Sequence, residues 1–155
     1  AHMARYKLQS SFELLITLSL GLAILLPIVV LAFLQMASAT SSLAAIESQQ
    51  AASKLASVAT LIGSEGPPAK QLVQIEVPPG VQYIYVGTTN GGIGHAITFV
   101  IRSGSGLNYV TSYTPVNVSG NLGGIVSTGT YLVNVSATST CPFQAPVPCV
   151  YISPS

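Results

Sequence analysis

Apolar residues crowd into one continuous run near the start of the chain and then recur in two different rhythms. Residues 14–34 read LLITLSLGLAILLPIVVLAFL, with no charge among them. About 20 apolar residues cross a bilayer core as a helix. A helix apolar on every face has no side suited to water. The run is therefore read as a membrane-resident helix. Pro27 lies inside it and removes one helical hydrogen bond, which marks a place for a kink or for melting during assembly. Gly21 and Pro27 are both better tolerated in membrane helices than in soluble ones.

The rhythm then changes to a one-sided helical one. Residues 35–62 are rich in Ala, Ser, Gln and Leu and hold neither Pro nor Gly. Ala44, Ala51, Leu55, Val58 and Ile62 fall on one helical face, and Leu43, Ile46 and Leu61 are expected to widen it. Glu47, Gln50 and Lys54 fall elsewhere. Gly63 is expected to stop the helix, with Gly66-Pro67-Pro68 confirming the break. A helix over 9–62 rises roughly 80 Å, far more than a bilayer needs. Its amphipathic half must lie on something, most simply the domain that follows.

After a linker at 63–70 the alternation is that of strands. The expected strands are Gln71–Val77, Val81–Val86, Ala96–Arg102, Leu107–Tyr113, Val116–Val118, Gly129–Val135 and Val147–Ile152. Pro78-Pro79-Gly80 marks a turn, and TTNGGIG (88–94) carries the Asn-Gly signature of a hairpin loop. Short strands at this spacing predict an antiparallel β-sandwich, immunoglobulin-like, over 71–155. The expected fold class is thus α+β, a long N-terminal hydrophobic helix followed by that sandwich.

Composition sharpens this division. The chain is 49% hydrophobic and 6% charged, against about 25% charged in ordinary domains. Five Lys and Arg stand against four Glu and no Asp, so no basic cluster points to nucleic acid. Arg5 and Lys7 precede the apolar run and no further cation follows until Lys54, which places the N-terminus in the cytoplasm and the rest outside. After Glu76 the only formal charge is Arg102. A surface so poor in charge points to cover by copies of itself or by sugar. Asn117-Val118-Ser119 and Asn134-Val135-Ser136 match the N-glycosylation acceptor, so N-linked glycans are possible.

Chemistry is sparse. Cys141 and Cys149 bracket a Pro-rich segment, and outside the cell they are expected to form a disulfide. So short a loop would contribute about 2.5 kcal/mol on the chain-entropy account. Two Cys without a neighbouring His make no metal site. His2 and His95 have no Asp to orient them, so a Ser-His-Asp arrangement cannot be built. Gly91-Gly92-Ile93-Gly94 joins strands and lacks the Lys of a phosphate loop. No enzyme activity, metal or cofactor is expected.

The residues ahead of the apolar run read RYKLQSSFE (5–13). A basic leader followed by Gln9, Ser11 and Glu13 resembles the class III signal peptide of archaeal type IV pilin-like proteins, whose motif is Q-x-S-x-E. The motif covers few residues, while the layout of leader, long helix and one β-domain covers the whole chain. The resemblance implies cleavage by a prepilin peptidase between Leu8 and Gln9, with residues 1–8 as leader. Ala1-His2 ahead of Met3 reads as a tag remnant. It further implies that Glu13 becomes the fifth residue and pairs with the α-amine of a neighbouring subunit. The expected function is then a structural subunit of a pilus-like filament, made by the prepilin peptidase and membrane assembly machinery. The subunit would sit in the membrane before polymerising into an extracellular helical homopolymer. Adhesion or twitching is the implied role, and an archaellum subunit the nearest variant. The competing expectations are a monomeric membrane-anchored binding module, or a secreted β-domain cut after Ala37-Ser38-Ala39.

Overall fold

A computed structural model describes residues 2–104, 106–142 and 146–155, with side chains from Lys7 onward. The fold is α+β. One helix, α1 (His2–Glu65), is followed by strands β1 (Lys70–Val77), β2 (Val81–Val86), β3 (Gly94–Ser103), β4 (Gly106–Gly120), β5 (Gly129–Thr138) and β6 (Cys149–Pro154). The chain divides into two compact units, 1–40 and 41–155, the boundary falling within α1.

In the second unit the helix packs on the sheet through a stripe of small residues. Ala44, Ala51, Ala52, Leu55, Ala56, Ala59 and Ile62 are buried in the same core cluster as the strands, and Val58 packs at its margin. Alanines let the helix axis approach the sheet closely, while Leu55, fully buried, fills the space between them. Leu43, Ile46 and Leu61 do not widen this face; all three are exposed. At 3.6 residues per turn they lie about 120–180° around the helix from Leu55. Alanine and Ser48 take the flanking positions instead.

The helix also runs through Gly63 to Glu65, beyond the expected stop. Gly63 is a contact residue: a Cβ there would meet Val116 Cγ1 at 2.7 Å. The stop is Gly66, whose φ of 76° carries the chain out of the helix. Its N–H donates to the Ile62 carbonyl at 3.1 Å, satisfying one of the orphan helix-end acceptors.

The strands form one six-stranded sheet in the order β1-β5-β6-β4-β3-β2. This corrects the expected all-antiparallel pairing. The pairing gives one sheet, and that sheet is mixed, because β4 and β6 run parallel from Val118↔Val150 to Gly120↔Ile152. The crossover from β4 through β5 to β6 brings the last strand back beside β4 in the same direction. The other neighbours are antiparallel. Two expected strands, Leu107–Tyr113 and Val116–Val118, are parts of the single strand β4. Pro115 between them has no N–H for a ladder, and it falls where the β3–β4 register shifts.

The two edge strands, β1 and β2, are joined by only Pro78, Pro79 and Gly80. Four Cα steps span at most about 14 Å, so the sheet curls until its first and last strands approach one another. Val73, Ile75 and Val77 from one edge then share a core with Ile84 and Val86 from the other. Phe99, Ile97, Ile101, Val133, Val135 and Ile152 fill its centre.

Replacing Leu55 by Ala should destabilise residues 41–155 by about 2–5 kcal/mol, and Leu43→Ala should leave them nearly unchanged. Denaturant unfolding followed by hydrogen exchange on the core strands measures both.

Candidate functional site

The first unit is a single helical segment. From Phe12 to Met36 its large apolar side chains are exposed, from 48% at Val29 to 71% at Phe33. They occupy every side of the helix, so no rotation hides them from water. The segment is long and apolar enough to cross a membrane by length and composition. Pro27 does not interrupt it; α1 is continuous through that position. The ring still leaves the Ala23 carbonyl without its usual helical donor. Phe12, Leu15, Ile16, Ser19, Leu20 and Ala23 outline a shallow groove of about 360 Å³ along one face. Ser19 and Ala23 are the small residues among larger neighbours there, a pattern suited to the ridge of another helix.

Leu8, Gln9, Ser11 and Glu13 all lie on α1 and are exposed. Gln9 and Glu13, four apart, share a face; Ser11 lies on another. Thr17 Oγ1 donates to the Glu13 backbone carbonyl at 2.8 Å, while the Glu13 carboxylate has no ion-pair partner among the described residues. Ala1 and the side chain of Arg5 lie outside the described residues, as does the side chain of His2.

The second unit holds the remaining candidates. Cys141 and Cys149 are joined in a disulfide that staples the β5–β6 connection, with the Cys141 N–H donating to Val147 O at 2.9 Å. Residues 143–145 of that loop lie outside the described residues. Asn117 and Asn134 sit half-buried on β4 and β5, not on loops. Asn117 Nδ2 donates to Pro148 O at 3.5 Å, and Asn134 Oδ1 is buried without a partner among the described residues. His95 Nδ1 lies 3.0 Å from the Val116 carbonyl, which ties β3 to β4. Among the described residues no group of three or more His, Cys, Asp or Glu is placed to hold a metal.

Sequence reasoning passed over a cleft of about 380 Å³ beside edge strand β2. Tyr83, Tyr85 and Tyr151 line it with Thr88, Asn90 and Asn121. Its one legible signal was VQYIYV, where alternation sends Tyr83 and Tyr85 to the side opposite Ile84. The other wall comes from β4, β6 and two loops, which no local pattern brings together.

Substituting Lys for Ile24 should oppose membrane insertion of residues 14–34 by about 2.5–3.5 kcal/mol. Insertion efficiency of the full chain into microsomes, scored by glycosylation-site mapping, reads this directly. Compared with protein-family profiles, with curated proteins and with solved structures, the chain finds no match in any of the three.

Proposed function

We propose that the chain is a structural subunit of an extracellular filament of the archaeal type IV pilus kind. The observation that carries this reading is the uncovered helix surface from Phe12 to Met36, apolar on all sides. Lipid can cover it in a membrane, and neighbouring helices can cover it in a filament core. Burial of that surface, at about 25 cal/mol per Å², is then the drive for polymerisation. The shallow groove at Ser19 and Ala23 offers a packing seat for the next helix. The sheath is the rolled, sandwich-like β-domain, whose sparse charge suits packing against copies of itself. Open head-to-tail addition gives a helical homopolymer.

The Q-x-S-x-E motif supplies the switch. Cleavage between Leu8 and Gln9 by a prepilin peptidase removes Arg5 and Lys7, cations that would be costly inside an apolar core. It also creates an α-amine at Gln9. Glu13, exposed and without an ion-pair partner among the described residues, then meets the amine of the adjacent subunit. A carboxylate next to an apolar segment is costly unless paired, so this contact favours one axial register. Adhesion or surface motility follows from the resemblance, with N-linked glycans at Asn117 and Asn134 as an added cover.

Mass spectrometry of the native protein tests the processing: a terminus at Gln9 is expected, and one at Thr40 would overturn the filament reading in favour of a secreted domain. Glu13→Ala should abolish or slow assembly in electron micrographs while the near-ultraviolet circular dichroism of the full chain, which reports on the tyrosines of the β-domain, is unchanged. Normal filaments from that variant would remove the pairing role.

A further inference from the structure

We infer that the cleft beside β2 is a binding site for a neutral carbohydrate. The reading goes beyond the filament proposal, because the whole site lies within residues 83–151 of one subunit. At about 380 Å³ it falls inside the usual range of small-ligand pockets, about 300–1,000 Å³.

Its lining combines aromatic rings and neutral polar groups with Ile84, Val86, Leu122 and Pro142. Three tyrosines line it, and Tyr83 and Tyr85 lie together with ring centroids 4.4 Å apart and planes tilted by 38°. Ring faces carry partial negative charge, which attracts the polarised C–H groups on one face of a pyranose. Around the rings stand Thr88, Asn90, Ser119 and Asn121, and no charged residue lines the cleft among the described residues. Hydroxyls and amides both donate and accept, as sugar hydroxyls do. An anionic ligand would find no cation here. An added β-strand would call for apolar pockets at alternate positions, whereas the wall facing β2 mixes Ser119, Asn121 and Tyr151 with Leu122 and Pro142.

The site is also held in shape. Thr88 Oγ1 accepts from the Gly92 N–H at 2.8 Å, and the Thr88 N–H donates to Gly92 O at 3.0 Å. Ser119 Oγ donates to Gly91 O at 3.2 Å, tying that loop to β4. Asn121 Oδ1 accepts from the Gly123 N–H at 3.2 Å, which leaves its Nδ2 as a donor. Tyr83 rests against Gly123, where a Cβ would lie 2.5 Å from its hydroxyl oxygen. Among the described residues the hydroxyls of Tyr83, Tyr85 and Tyr151 and the side chain of Asn90 form no hydrogen bond within the chain. Fixed walls with unused polar groups reduce the ordering cost of binding.

The test uses the full chain in phospholipid nanodiscs, since glycoside detergents would compete. Saturation-transfer NMR and calorimetry are run with methyl glucoside, methyl galactoside, methyl mannoside, N-acetylglucosamine and glucuronic acid. At least one neutral probe should bind in the millimolar range or tighter. Tyr83→Ala and Asn90→Ala should each weaken it by about tenfold. Gly123→Ala should do the same by displacing the Tyr83 ring, with the melting temperature retained. Asn90 is exposed on a loop, so its variant stays informative if a tyrosine variant misfolds. Three results would overturn the site: no binding of any neutral probe, preference for glucuronic acid, or binding indifferent to Tyr83 and Asn90. Concentration-dependent dimerisation lost in Tyr83→Ala, with no glycoside bound, would assign the cleft to strand pairing between copies instead.

Discussion

A single helix has to satisfy two surroundings at once. Over residues 12–36 it presents apolar side chains in every direction and needs an apolar medium. Over 41–65 it presents one stripe to a sheet and the rest to water. The change is made without a break in the backbone hydrogen bonding, by composition alone. Leu, Ile and Val give way to Ala, Ser and Gln, which keep helix propensity while losing hydrophobicity. The β-domain depends on this second half, since without Leu55 and the alanines one side of its core has no cover. The first half depends on whatever supplies the apolar medium.

That division of labour was largely legible in the sequence. The charge-free run and the one-sided stripe are local signals; the first is helical with its apolar side chains exposed, and the second is buried against the sheet. Ala44, Ala51, Leu55 and Ile62 are buried as their spacing required. Leu43, Ile46 and Leu61 misled because hydrophobicity was weighed above angle. An exposed leucine is common, and an alanine facing a sheet is often the better core residue where two backbones must come close. Gly63 misled similarly: a glycine near a helix end reads as a stop, yet it served contact with Val116.

Strand positions were legible and strand partners were not. Alternation located nearly every strand, because it reports which side of the chain faces a core. It is silent about which strand lies alongside which. The three-residue link between β1 and β2 would ordinarily suggest a hairpin, but these strands are the opposite edges of the sheet. The tyrosine cleft was hidden for the same reason. Tyr83 and Tyr85 are neighbours in sequence, while Asn121 and Tyr151 reach them only through the β4–β6 pairing.

The position of β6 has a consequence for the order of events in the cell. It is the last of the six strands to be synthesised, and it lies between β4 and β5 in the middle of the sheet. Five strands and the apolar helix must therefore be made before the central one arrives. Until Cys149–Pro154 emerges, Val118–Gly120 of β4 and Val133–Thr138 of β5 lack the strand that lies between them, and those backbone groups are open to other chains. The sheet closes in one late step that follows synthesis of the membrane-suited segment by more than a hundred residues. The helix that is long and apolar enough to cross a membrane is thus complete well before the centre of the sheet it leads into.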